Sequence, residues 1–182
     1  LIAQPIRQVK TSAPSNYIFA QSLSRQDIQS AVNSALPGNT IILPPGSNTT
    51  FSGTVTITTD NLHIRGQGSD STHIGWNSGS NGQDAVFEVR NTTGFELSGV
   101  HLFGTNSQIQ REWLVKMRYS TNFRIHHCTF ERSGAAGVDC WGYPMNGCID
   151  NCTFLDGYFP GHGYGVYVAH ATQEEWENGH AG

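Results

Sequence analysis

Arg124-Ile125-His126-His127-Cys128-Thr129-Phe130 is answered by Cys148-Ile149-Asp150-Asn151-Cys152-Thr153-Phe154, in which Ile125, Cys128 and Phe130 return 24 residues later as Ile149, Cys152 and Phe154. A fixed period of this size marks coils stacked on one another. Each rung of such a stack lies over the rung below, so sequence offsets become spatial neighbours. Leu97-Ser98-Gly99-Val100-His101-Leu102 holds the same frame 28 residues before Ile125, and Ile64 holds it 33 residues before Leu97. A second phrase precedes the first in each coil: Phe87-Glu88-Val89, Val115-Lys116-Met117, Val138-Asp139-Cys140 and Val166-Tyr167-Val168, with Val55-Thr56-Ile57 as the earliest copy. Each alternates apolar, polar, apolar, as a strand with one buried face requires. The expectation is an all-β, right-handed parallel β-helix of about five coils.

Composition supports many short strands and tight turns: 21 Gly, 13% charged residues, and plentiful Thr, Ser and Asn. The net charge of −4 and the lack of a basic cluster argue against a nucleic-acid partner. No apolar run approaches the about 20 residues that cross a bilayer. Before the first coil, Ser24 with Asp27 resembles a capping box, and Ile28, Ala31, Val32, Ala35 and Leu36 mark one apolar helix face that Pro37-Gly38 stops. Residues 24–39 are therefore read as an amphipathic capping helix, 1–23 as a leader and 40–182 as coils. After Val168 the sequence offers only Thr172-Gln173-Glu174-Glu175-Trp176-Glu177, either a short helix or a loop toward further coils, and the chain is read as truncated or processed.

Asp27 to Asn33, Pro37 to Gly46, Val55-Thr56-Ile57 and Leu62-His63-Ile64-Arg65-Gly66-Gln67-Gly68 together resemble the opening of pectate-lyase-like right-handed parallel β-helix proteins. Phe123 to Cys128 and Tyr164 to Val168 are similar to secreted bacterial members of that superfamily. The resemblance implies an extracellular or cell-surface protein. Its members include polysaccharide lyases, glycoside hydrolases, epimerases, tailspikes and adhesins, and a fold alone does not choose among them. Gly161-His162-Gly163 matches a polygalacturonase tripeptide, without the paired aspartate elements that accompany it in that family.

Stacking turns the outward positions into ladders. Glu88, Lys116, Asp139 and Tyr167 fall on successive rungs about 4.8 Å apart, with Arg90, Arg118 and Trp141 beside them. Such a face suits an acidic polysaccharide. Lys116, Arg118 and Asp139 are the candidate catalytic groups, with Lys116 or Arg118 removing the proton next to a sugar carboxylate. Glu88, Arg90, Trp141 and Tyr167 are the candidate substrate contacts, and Glu88 with Asp139 is a candidate Ca²⁺ pair. The plainer alternative is that acids and bases simply alternate on an exposed sheet, each pair worth about 0.2–1 kcal/mol.

A second ladder contains Ser98, His126 and Asp150, with His63, Glu96 and Arg124 alongside, and pairs His126 with Asp150 as acid and base. Cys128 and Cys152 should stack inside as free thiols, with Cys140 inward, and a Cys140–Cys148 bridge as the competing possibility. Asn48, Asn91 and Asn151 begin sequons or serve as turn residues. Two functions remain open. One is a β-helix that binds, and in its enzymatic form cleaves, an extended acidic polysaccharide; the other is a structural or adhesive module that assembles through its coil ends.

Overall fold

The structure, a computed structural model, describes residues 16–77, 85–104, 113–142, 146–157 and 164–169. Gly161-His162-Gly163 and the segment from Thr172 to Glu177 lie outside the described residues. The chain opens with β1 (Tyr17–Phe19), α1 (Arg25–Ser34), β2 (Thr40–Ile42) and β3 (Gly46–Phe51). It then runs three strands to a coil: β4 (Val55–Ile57), β5 (His63–Arg65), β6 (Thr72–Trp76); β7 (Ala85–Arg90), β8 (Glu96–Ser98), β9 (His101–Gly104); β10 (Trp113–Arg118), β11 (Arg124–His126), β12 (Thr129–Glu131); β13 (Ala136–Trp141), β14 (Cys148–Asp150), β15 (Thr153–Leu155). β16 (Tyr164–Ala169) begins one more.

Every strand pairs in parallel with its counterpart one coil away, giving three sheets. The front sheet is β4-β7-β10-β13-β16, the side sheet β1-β2-β5-β8-β11-β14 and the back sheet β3-β6-β9-β12-β15. From β4 to β16 the chain completes about four turns, which corrects the expected five: the fifth copy of the front phrase starts a rung without completing a described circuit. The third sheet is a further correction. The phrase from Arg124 to Phe130 is two strands, bent at His127, whose φ of 53° turns the chain from side to back. Gly99 and Asn151 take the same positive φ at the same corner one rung to either side. Asn61, Gly94 and Asn122 do so at the corner between front and side. Residues with a Cβ pay for this left-handed conformation, so Gly and Asn recur there.

The core consists of inward ladders. Ile41, Ile64, Leu97, Ile125 and Ile149 stack along the side sheet. Val55, Phe87, Val115, Val138 and Val166 stack along the front. On the back sheet Ile74, Leu102, Phe130 and Phe154 stack, the last two rings 5.1 Å apart and nearly parallel. These side chains are fully buried in the middle coils. At the last rung they open out, with Val166 38% and Val168 57% exposed.

α1 begins as its sequence indicates: the Ser24 side chain accepts from the Asp27 N–H at 3.1 Å. Ile28, Ala31 and Val32 join the core. The helix ends at Ser34, before Pro37, so Leu36 lies beyond it and is exposed instead of completing the apolar stripe. Gln29 meets the edge of β4, its Nε2 donating to the Thr56 carbonyl at 3.1 Å and its Oε1 accepting from the Thr56 N–H at 2.8 Å. Part of the segment read as a leader is built into the body, because β1 pairs in register with β2.

All four cysteines are free. Cys128 and Cys140 are buried, and burial pushes the Cys140 thiol up to about 12. Cys148 is exposed. The Asn48 amide donates to the Leu23 carbonyl, and Asn91 and Asn151 occupy positive-φ turns.

Candidate functional site

The front sheet brings the first ladder together in the expected register. Lys116 pairs with Glu88 on one side and Asp139 on the other, Arg118 pairs with Arg90 and Trp141, and Asp139 pairs with Tyr167. What differs is the environment. Lys116 is 3% exposed, Arg118 4% and Asp139 0%, so the centre of the ladder is a buried charge network rather than an open surface. Alternation puts these side chains on the outer side of the strand, and neighbouring rings help cover them. The Lys116 ammonium lies 4.1 Å from the centre of the Trp113 ring, and the Arg118 guanidinium lies 5.3 Å from that of Trp141. Cations over indole faces gain about 0.5–2 kcal/mol, more where water is excluded.

Arg118 bridges the acids. Its Nη2 is 3.2 Å from Asp139 Oδ2, and its Nε is 3.9 Å from Glu88 Oε1. Arg90 reaches Glu88 Oε2 at 2.8 Å from the solvent side. Burial raises the Asp139 carboxyl to about 6, opposed by Arg118, and lowers Arg118, opposed by Asp139 and Glu88. The same geometry bears on calcium. Glu88 and Asp139 stand two rungs apart with Arg118 touching both, whereas Ca²⁺ requires its oxygens at about 2.3–2.6 Å. The pair does not fit a resident ion with Arg118 in place. Among the described residues no cluster of three or more His, Cys, Asp or Glu side chains is arranged to hold a metal.

Aromatic rings extend the face. Trp141 and Tyr167 lie 6.3 Å apart, and Tyr164 and Tyr167 5.4 Å apart. Trp113 was not legible as a site residue: it stands outside the Val115-Lys116-Met117 phrase, and its rung partners are Ala85 and Ala136. The face thus combines an exposed arginine, indole and phenol rings, and buried cations beneath them.

The second ladder has the expected register and different partners. His126 pairs across the rung with Asp150, yet its Nε2 contacts Glu96 Oε1 at 3.0 Å. Asp150 is taken by Arg124 through two hydrogen bonds of 2.9 Å. The His126–Asp150 pairing is therefore corrected. A diagonal guanidinium with two matched donors outcompetes an imidazole that offers one. That hydrogen bonding holds Asp150 below the usual carboxylate range.

No family profile and no curated protein sequence matches the chain. Among solved structures it is similar to an alginate lyase from Paenibacillus sp. str. FPU-7, with a TM-score of 0.57 and 17% sequence identity over 90% of this chain and 53% of that one. The chain thus spans about half the length of that enzyme. At this identity the likeness is one of fold alone, the parallel β-helix that the repeated phrases indicate.

Proposed function

We propose that the chain binds an extended acidic polysaccharide across the front sheet and that Lys116 and Arg118 equip this face for β-elimination at a uronate unit. The observation that carries this reading is the in-register gathering of Glu88, Lys116, Arg118 and Asp139 with Arg90, Trp141 and Tyr167 on one sheet. The fold shared with an enzyme that acts on alginate, a polyuronate, supports it. Trp141 and Tyr167 stack on sugar rings, exposed Arg90 pairs with a sugar carboxylate, and Glu88 and Asp139 hold the Arg118 cation in place. In the elimination, Lys116 acts as the neutral amine and takes the proton beside the carboxylate, while Arg118 remains a cation facing the negative charge that develops there. The electron pair left behind forms the C=C bond, and the glycosidic C–O bond breaks toward the leaving oxygen, which takes up a proton.

Acting on such a polymer places the chain outside the cell or at its surface. The coil winds right-handed, as parallel crossovers nearly always do. α1 closes the first coil, with Gln29 satisfying the edge of β4. Calcium is not required in this reading, because Arg118 supplies the charge that an ion would, so a chelator should leave binding unchanged.

Calorimetric titration with oligouronates, followed by ultraviolet detection of unsaturated sugar ends, tests the proposal. Trp141→Ala should weaken binding about tenfold, the loss of one good ring contact, and Lys116→Ala should abolish any unsaturated product. Folded variants that bind and react like the wild type would remove this face as the site.

One observation favours a second reading, in which copies associate end to end. Phe154, Val166 and Val168 on the last described rungs are 37%, 38% and 57% exposed, although their counterparts one coil earlier, Phe130, Val138 and Cys140, are core. Parallel strands with a bare apolar face invite another strand edge. Sedimentation that stays monomeric at high concentration would dismiss this reading.

A further inference from the structure

The corner where the side sheet turns into the back sheet holds a groove of about 450 Å³, lined among others by Arg65, Gln67, Glu96, Ser98, His126 and His127. Its volume is that of a small-ligand site, and it lies away from the front sheet. The positive φ of His127 matters here. Successive residues of a strand point to opposite faces, but the turn at His127 brings its ring beside that of His126, with the two Nδ1 atoms 2.6 Å apart.

That distance fixes the protons. Two bare nitrogens or two N–H groups would repel at 2.6 Å, so one ring donates and the other accepts. Glu96 Oε1 lies 3.0 Å from His126 Nε2, and a carboxylate only accepts, so His126 carries its hydrogen on Nε2. With both rings neutral, His126 Nδ1 is the acceptor and His127 Nδ1 the donor. His127 Nε2 is left with its lone pair. The chain Glu96–His126–His127 therefore sets both tautomers and presents a single oriented acceptor at the groove, in the way a carboxylate behind a histidine fixes the ring that works. The other Glu96 oxygen faces His63 at 4.0 Å, and the nearby charges Arg124 and Asp150 satisfy each other. Arg65 is exposed in the groove wall and makes no ion pair among the described residues. It pairs across the rung with Ser98, which adds a hydroxyl.

We propose that this corner groove is a second saccharide-binding site, taking one uronate unit with its carboxylate on Arg65 and a ring hydroxyl donating to His127 Nε2. The proposal rests on the acidic-polysaccharide reading of the front sheet for its ligand class. The two sites can be separated experimentally because they lie on different sheets.

The test is an NMR titration of the labelled full chain with a tri-uronate oligosaccharide and, as a control, a neutral trisaccharide. The Trp141 indole reports the front sheet and the His127 ring reports the corner. Arg65→Gln and His127→Asn are the variants, since both side chains are exposed and Asn tolerates the positive φ at residue 127. In the wild type the His127 ring should shift with the tri-uronate and not with the neutral sugar. Arg65→Gln should weaken that response about tenfold, and His127→Asn should weaken by as much the shift of the Gly99 backbone amide, which also lines the groove, while the Trp141 titration stays as in the wild type. A His127 ring that does not respond at saturating tri-uronate, or a corner response that survives both variants, overturns the proposal. If Trp141 fails to respond while His127 does, the front-sheet reading falls and the corner site stands.

Discussion

On the front sheet, Arg118 sits one rung from Asp139 and is 4% exposed. On the side sheet, Arg124 reaches Asp150 one rung away and its side chain is 50% exposed. Both pairs arise from the same stacking rule, and both place a guanidinium within 3.2 Å of a carboxylate. Their electrostatics run in opposite directions. Burial pushes Asp139 up to about 6 and Arg118 down, because each charge has lost water that its partner only partly replaces. On the side sheet, hydrogen bonding lowers Asp150 and raises Arg124, because both keep their water and gain a partner. The repeat decides which residues meet; what covers them decides what the meeting is worth.

The largest effect should come from removing the buried cation. Arg118→Met leaves the Asp139 carboxyl at 0% exposure without the guanidinium that favours its charged form, and should cost about 3–5 kcal/mol at pH 7, read from urea unfolding. The deficit should shrink on acidification. Beside Arg118 the folded pKa of Asp139 is about 6, already above its value in the unfolded chain, about 4, and losing Arg118 raises it further, so the variant regains more on acidification than the wild type does. Between these values the folded protein binds a proton that the unfolded chain does not, so this group adds stability as pH falls through 6 and withdraws it as pH rises. A deficit equal at pH 5 and pH 7 would mean that Asp139 is not the stranded charge.

On the side sheet the vulnerable feature is the backbone rather than the charge. A Cβ on Gly66 would lie 2.1 Å from the Gly99 carbonyl oxygen and 2.9 Å from its carbon, backbone that cannot move aside cheaply, and 2.8 Å from the Val100 side chain at Cγ1. Gly66→Ala should therefore cost about 1–3 kcal/mol, seen as a lower melting temperature. An unchanged melting temperature would show that the corner yields more easily than its contacts suggest.

These differences explain what the sequence made legible. Phe87, Val115, Val138 and Val166 announced both the period and the register, because an inward ladder must repeat to fill a continuous core. The corner at His127 was hidden because a positive φ leaves no mark unless Gly or Asn occupies it, and only the rungs at Gly99 and Asn151 do so. Alternation marked Lys116, Arg118 and Asp139 as outward, which they are, but it carries no information about what covers the outer face. The partner of Asp150 was missed for a related reason. Rung pairing names the residue directly across, His126, whereas a long arginine side chain reaches diagonally from the position opposite Cys148.

The smallest effect is the one that would most readily break the comparison. Arg124 and Asp150 form the better-shaped pair of the two, with two hydrogen bonds of 2.9 Å, against one Arg118 contact of 3.2 Å to Asp139. If geometry governed, Arg124→Ala would be the costlier change. Solvent governs instead, because an exposed ion pair exchanges hydration for contact at nearly equal free energy and is screened by salt. Arg124→Ala should therefore leave the melting temperature at neutral pH close to that of the wild type, with any small difference vanishing in high salt. Asp150 has its pKa lowered in the fold, so what the pair does contribute is present above the unfolded carboxylate value of about 4 and is lost as pH falls below it, the reverse of Asp139. Melting curves for Arg124→Ala and Arg118→Met at low and high salt compare the two pairs directly. A loss in Arg124→Ala that matched Arg118→Met and persisted in high salt would mean that geometry, not burial, ranks the ladders of this fold.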